Sequence, residues 1–329
     1  MTMTMTTLLL IDVQKDFHPG GSLAIPTASE DADRIASFIT KHAGSINRIV
    51  VTLDTHPKWH IAHPTFWVAG ESESESAATD GESSQRRHPA PFTVISSEDI
   101  RSKKWIPSAP PSSSTTSLSQ HAIVDKNILA QGGPIPDNLF TAQEQNENQA
   151  RSMDLTAYCA EYAHRLESST SDNRKFSLTI WPEHCIEGSD GHNIVDVVEA
   201  AISTWRDGAE EGKRTVQYVR KGMNPYTEMF SAICAEVPVD DKTSFNYDLV
   251  DKLRSNTDNL VICGQALSHC VNYTVRDIVS QWSPSSPPSI TILKDCMSSV
   301  PGFEEAGEKF LQDMMEVGVN VETSDSFVP

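Results

Sequence analysis

Six side chains able to do covalent, acid–base or metal chemistry stand where apolar runs end: Asp12, Asp54, His56, His184, Lys221 and Cys270. The stretch 261–278 organises the rest. It opens with an apolar run through Cys263, breaks at Gly264, and passes through a short polar turn into an amphipathic pattern that starts near His269. That order predicts a strand, a tight turn and a helix. Cys270 then falls in the helix's first turn, where unpaired N–H groups and the positive end of the macrodipole favour thiolate over thiol. Backbone donors at the same place can hold an oxyanion once sulfur attacks a carbonyl. Taken alone, a Cys after a strand reads first as a small buried apolar residue, and the other stretches overturn that reading.

The remaining candidates follow the same rule of position. Asp12 closes the apolar run 7–11, and in open α/β sheets ligands gather outside the carboxyl ends of strands. A loop-capping acid is the other reading of that position. Asp54-Thr55-His56 ends the run 48–53 with a carboxylate and an imidazole two residues apart, so both can point the same way from an extended chain. With a further His this is a mixed oxygen and nitrogen set that suits zinc, iron or manganese. His184 stands after the alternating run 176–180, with Pro182 keeping Trp181 extended. His60 and His63 could be ligands, substrate contacts or plain loop residues. Lys221 follows the strand pattern 215–219 and precedes a turn-rich loop, unlike the solvated lysines elsewhere.

These positions need a scaffold of alternating strands and helices. Helical spacing of apolar residues recurs over 30–42, 153–167, 193–205, 247–253 and 304–317, between strand-like runs at 7–11, 48–53, 176–180, 215–219, 260–263, 290–293 and 319–321. The pattern predicts a three-layer α/β/α fold with a central, mostly parallel, doubly wound sheet. The chain has 329 residues, long enough for a sizeable core, and we read it as a single domain over 1–329. Residues 69–150 are loop-rich insertions: Glu, Ser, Gly and Ala dominate 69–91, Pro and Ser dominate 107–119, and Phe92 to Ile95 with Trp105 form a small ordered piece between them.

A net charge of -19 argues against nucleic acid or an anionic membrane surface as partner. Six cysteines without close regular spacing fit a reducing compartment, and no apolar run is long enough to span a bilayer. The expectation is a soluble cytoplasmic protein with a small-molecule partner, whose exposed helices allow a homo-oligomer.

In this order the residues resemble the nicotinamidase/isochorismatase-like cysteine hydrolases, over most of the chain outside 69–150. Leu10-Ile-Asp-Val-Gln-Lys-Asp-Phe17 is similar to the family's opening strand, whose catalytic Asp falls on Asp12. Leu53-Asp-Thr-His-Pro57 and Trp181-Pro-Glu-His-Cys185 look like its two metal motifs, giving Asp54, His56 and His184. Arg220-Lys-Gly222 matches the catalytic Lys, and Gly264-Gln-Ala-Leu-Ser-His-Cys-Val271 the nucleophile turn, with Cys270 the nucleophile. The resemblance implies an oxyanion hole made by the N–H groups of Ala266 and Cys270, a cis peptide between Gln265 and Ala266, and a substrate ring flanked by Phe17 and Trp181.

It also implies an activity: hydrolysis of nicotinamide to nicotinate and ammonia through a cysteine thioester, in NAD salvage, with a divalent metal, zinc first and iron or manganese next. Three departures mark a divergent branch. No acid stands two before the Cys, insertions flank the metal strand, and the segment from His60 to Trp67 runs beyond the usual loop. A related cysteine amidase acting on another small amide or ureido compound is the nearer alternative, and a non-catalytic metabolite-binding protein the remoter one. Cys270 argues against isochorismatase activity, because isochorismatases lack that nucleophile.

Overall fold

A computed structural model describes residues 5–70, 87–109, 124–136, 138–140, 153–169, 175–209, 214–282 and 288–329. The chain forms β1 (Thr6–Ile11), α1 (Ala28–Lys41), β2 (Ile46–Asp54), β3 (Trp67–Ala69), β4 (Val94–Ile95), α2 (Ser97–Arg101), β5 (Trp105–Pro107), α3 (Lys126–Gln131) and α4 (Leu155–Ser168). It continues through β6 (Leu178–Thr179), α5 (Asp196–Asp207), β7 (Thr215–Lys221), α6 (Tyr247–Arg254), β8 (Asn259–Gly264), α7 (Asn272–Gln281), β9 (Ser289–Leu293), α8 (Glu304–Glu316) and β10 (Asn320–Glu322).

Six strands form one sheet in the order β10-β9-β8-β1-β2-β7, every neighbouring pair parallel. All six residues of β1 are buried, as a central strand covered on both faces requires. Helices flank the sheet. In α1, Ala32, Ile35, Phe38 and Ile39 recur at helical spacing and are buried; the helix packs against α5. Strand order reverses at β1, whose neighbours are β2 on one side and β8 on the other. At such a switch point the loops leaving the two strands diverge and open a crevice at their carboxyl ends. Asp12 leaves β1 there, and the Cys270 turn leaves β8.

Two sequence expectations change. The run 176–180 was expected as a sheet strand, but only Leu178–Thr179 pairs, antiparallel to Val94–Ile95 and apart from the six-stranded sheet. Its alternation is real, yet Leu178 and Ile180 face a second apolar cluster instead of the main core. The described parts of 69–150 belong to that cluster as well: Ile95, Ile100, Trp105 and Leu129 pack with Tyr158 and Tyr162 of α4. The ordered piece is therefore wider than Phe92 to Ile95 and Trp105. The polar runs at 71–86, 110–123 and 141–150 lie outside the described residues. Among the described residues no helix is long and apolar enough to cross a membrane.

Candidate active site

Four sheet strands deliver the site. Parallel pairing sets Asp54 of β2 beside Lys221 of β7, and Ile11 of β1 beside Gly264 of β8, so the groups that follow emerge at one edge. Gln14 joins the ends of β1 and β2, donating through Nε2 to the Asp54 carbonyl at 2.8 Å and accepting the Asp54 N–H on Oε1 at 2.8 Å.

Lys221 is the hub. Its Nζ lies 3.0 Å from Asp12 Oδ2, 2.8 Å from Asp54 Oδ1 and 3.6 Å from Cys270 Sγ, and it donates to the Met229 carbonyl at 3.0 Å. The Lys221 side chain is 1% exposed. Burial alone would discharge it, but Asp12, Asp54 and Cys270 hold its pKa well above the ordinary value. Asp12 is fully buried and its carboxyl is raised, by desolvation first and by Asp54 in addition, against the pull of Lys221 and of Thr52. Thr52 Oγ1 donates to Asp12 Oδ1 at 2.6 Å. Oδ2 lies against the Lys221 ammonium, and the Asp12 carboxyl also interacts with the Cys270 thiol. Burial pushes that thiol well up, and Lys221 opposes the rise.

Beside this trio, Asp54 turns its second oxygen to two imidazoles. Oδ2 is 3.1 Å from His56 Nε2 and 3.3 Å from His184 Nε2. The Gly222 carbonyl accepts from His56 Nδ1 at 3.0 Å and the Pro182 carbonyl from His184 Nδ1 at 2.8 Å. With Nδ1 committed to a carbonyl, each ring turns its Nε2 toward the same carboxylate oxygen. Three lone pairs converging with backbone carbonyls fixing the outer nitrogens is the donor set of a divalent cation site. Burial opposes a charge on His56 while Asp54 favours it, and His56 and Lys221 drive Asp54 well down against its own burial. Gly222 permits the approach, since at φ +74° a Cβ there would stand 2.7 Å from His56 Cε1 and 2.9 Å from Asp54 Oδ1.

His60 and His63 are both buried near His56, at ring separations of 4.4 and 5.1 Å. His60 has both nitrogens occupied, Nδ1 by the Ala62 N–H and Nε2 by the Thr227 carbonyl, which leaves no lone pair for an ion. His63 bonds the Lys58 carbonyl through Nδ1.

Cys270 sits in one wide turn, Leu267–Val271, in which the Val271 N–H reaches back to the Ala266 carbonyl at 3.1 Å; the regular helix α7 follows it. The Gln265–Ala266 peptide is cis. Among the described residues the Ala266 N–H has no acceptor. Ala266 and Cys270 line a cavity of about 320 Å³, counted out to its open mouth, together with Phe17, Trp181, Phe230 and His269. Trp181 stacks edge-on against His269, centroids 5.2 Å apart, and Phe17 against His184 at 5.6 Å. The residues expected to form a triad, an oxyanion hole, a metal set and two ring walls all border this one space or the groups beneath it.

No protein-family model matches the chain. Over 59 residues it is 41% identical to the nicotinamidase of Saccharomyces cerevisiae (strain ATCC 204508 / S288c), a match that spans 18% of this chain and 27% of that protein. Among solved structures it is similar to the yeast nicotinamidase bound to the inhibitor nicotinaldehyde, with 18% identity, a TM-score of 0.53, and 97% of this chain and 99% of that one covered. The Acinetobacter baumanii nicotinamidase/pyrazinamidase gives 18% identity, a TM-score of 0.51 and 98% of each chain. The L. infantum relative in complex with nicotinate gives 16%, 0.51, and 99% and 96%. The chain has the nicotinamidase fold.

Sequence reasoning passed over several residues of this site. Thr52 was within reach of it, because strand period places Thr52 and Asp54 on one face of β2. Glu228, whose Oε1 lies 3.9 Å from His56 Nε2 at the cavity wall, and Phe230 come from the long connection after β7, which has no periodicity to read. His269 carries no sequence signal beyond its place next to Cys270; burial lowers it to about 4, so it is a neutral wall residue.

Proposed function

We propose that the protein is a single-domain cytoplasmic amidohydrolase that converts nicotinamide to nicotinate and ammonia, a reaction of NAD salvage. One observation carries the reading: a buried thiol shares a charged lysine with a raised carboxyl, at an apolar-walled cavity that also borders a three-donor cation site.

The chemistry follows from the protonation states. A neutral thiol attacks an amide poorly, so a base must take its proton as sulfur approaches carbon. Asp12 is that base, strengthened by the burial that raises its pKa. Lys221 keeps its charge throughout and offsets the negative charge that passes between Asp12 and Cys270. Sulfur bonds to the carboxamide carbon, and the Ala266 and Cys270 N–H groups hold the oxyanion that forms. Asp12 returns the proton to nitrogen, the C–N bond breaks, and ammonia leaves a thioester. A water gives Asp12 a proton and attacks the thioester; the C–S bond breaks, nicotinate departs, and the thiol regains the proton.

Asp54, His56 and His184 would hold a divalent ion, zinc first and iron or manganese on the same donors, which when bound supplies a Lewis-acidic anchor for the ring nitrogen. Phe17 and Trp181 flank the ring. The cavity wall is mainly apolar, with Leu23, Phe230 and Val300 beside the two rings, and it carries Cys270 and His184 on the same surface.

Ammonia release from nicotinamide by the purified chain, with Cys270→Ala beside it and metal content measured on both, tests the reading. Turnover by the wild type alone supports it. Silence on nicotinamide, with metal bound and Cys270 open to alkylation, moves the substrate to another small amide or ureido compound. Turnover by Cys270→Ala removes the thioester route.

A further inference from the structure

The turn that carries Ala266 is held by a polar clamp that none of the steps above uses. Gln265 is fully buried, and both ends of its amide are engaged: Nε2 donates to Asp31 Oδ2 at 2.9 Å, and Oε1 accepts the Ser298 N–H at 3.1 Å. Asp31, 2% exposed on α1, accepts Ser298 Oγ–H on the same Oδ2 at 2.6 Å and Arg34 Nη2–H on Oδ1 at 2.7 Å. Thr27 Oγ1 donates to Ser298 Oγ at 2.7 Å. The Gln265 backbone N–H goes to the Ile11 carbonyl at 2.7 Å, one residue before Asp12, and the Leu267 N–H to the Ser298 carbonyl at 2.8 Å.

Residue 265 is thus fixed by side chain and by backbone, from α1, from the end of β1 and from the segment after β9. An apolar side chain could fill the same volume, but its contacts have no direction. Hydrogen bonds to a buried carboxylate are directional and charge-assisted, so they set orientation as well as place. What they orient is the next peptide, whose N–H belongs to the cavity-lining residue Ala266 and has no acceptor among the described residues. A donor that holds a developing oxyanion works best when it is aimed before the reaction starts.

We propose that Asp31, Gln265 and Ser298 form a positioning clamp that aims the Ala266 N–H at the carbonyl oxygen of the bound amide. The clamp rests on the amidase reading above. Its members touch no substrate and act through Ala266 alone.

The test uses the full chain and two probes. Nicotinaldehyde adds the Cys270 sulfur at its carbonyl carbon and puts an oxyanion where the clamp aims; nicotinate fills the ring site without that addition. Gln265→Met removes both side-chain hydrogen bonds at similar volume. It is expected to lower kcat on nicotinamide by about 10²-fold, the effect of losing one oxyanion donor, with KM within about threefold. Nicotinaldehyde inhibition should weaken in step with kcat while nicotinate binding holds. As a rescue, Gln265→Glu sets two carboxylates together and should be severely impaired, whereas Asp31→Asn combined with Gln265→Glu exchanges donor and acceptor and should recover most of the lost kcat. This pair decides the matter if Gln265→Met does not fold. A Gln265→Met enzyme with unchanged kcat and unchanged nicotinaldehyde inhibition, parallel loss of nicotinaldehyde and nicotinate, or no rescue by the exchange overturns the clamp. A wild type that neither hydrolyses nicotinamide nor binds nicotinaldehyde overturns the nicotinamidase reading on which the clamp rests, and the clamp's role with it.

Discussion

Lys221 Nζ and Asp54 Oδ1 are 2.8 Å apart, and the other oxygen of that carboxylate is the one His56 and His184 face. One side chain therefore serves both halves of the site. It anchors the lysine that neutralises Asp12 and Cys270, and it supplies the only anionic donor of the proposed cation set. Substitutions in the two halves should separate cleanly except at Asp54.

His184→Ala and Asp54→Asn should both lose bound metal, measured by elemental analysis. They should differ at the thiol. Asp54 raises the Cys270 pKa, so its neutralisation should make Cys270 alkylate faster with iodoacetamide at neutral pH than metal-stripped wild type does, whereas His184→Ala should alkylate at the stripped wild-type rate. Equal rates in the two variants would show that Asp54 does not reach the thiol electrostatically.

The pH profile of kcat/KM should report Asp12. It must be ionised to accept a proton, so activity falls as pH drops through its pKa. Because burial raises that pKa, the acid limb should lie above the ordinary carboxylate range of about 4. Thr52→Val removes a hydrogen bond that favours the ionised form, so the limb should move to still higher pH. A limb at or below the ordinary range, or a shift to lower pH in Thr52→Val, contradicts Asp12 as base.

Replacing Lys221 by Met keeps the stem and deletes the charge. Both Asp12 and Cys270 should then be harder to ionise, since Lys221 lowers each. Turnover should fall by about 10³-fold, within the range for losing acid–base function, with Asp12→Ala and Cys270→Ala at or below that level. Near-normal turnover in any of the three breaks the triad.

Gly222→Ala forces a Cβ to within 2.7 Å of His56 Cε1 at a φ of +74°. The variant should retain wild-type far-UV circular dichroism but carry well under one metal per chain. Full metal loading would mean that the β7 end yields without cost to the site.

The scaffold makes its own prediction. Leu9 is fully buried at the centre of β1, between β2 and β8. Leu9→Ala should destabilise the chain by about 2–5 kcal/mol in a denaturant titration, because little around it can collapse into the cavity.

Local sequence was enough for the groups that end regular elements. Asp12, Asp54 and Lys221 close strand patterns, and a parallel sheet turns such positions into neighbours by register alone, as Asp54 beside Lys221 illustrates. Cys270 was legible for the same reason, since Gly264 marks a turn that only a residue without a Cβ can make: a Cβ would lie 2.0 Å from the Ile11 carbonyl. Period and breaker residues are short-range signals, and these positions depend on nothing longer. The tertiary structure alone decided the rest. His184 arrives from a two-residue strand outside the main sheet, the described parts of 69–150 pack against α4 as a second cluster, and Asp31 reaches Gln265 across 234 positions of chain. Such contacts depend on how separate elements dock, and no periodicity within either partner encodes the distance between them.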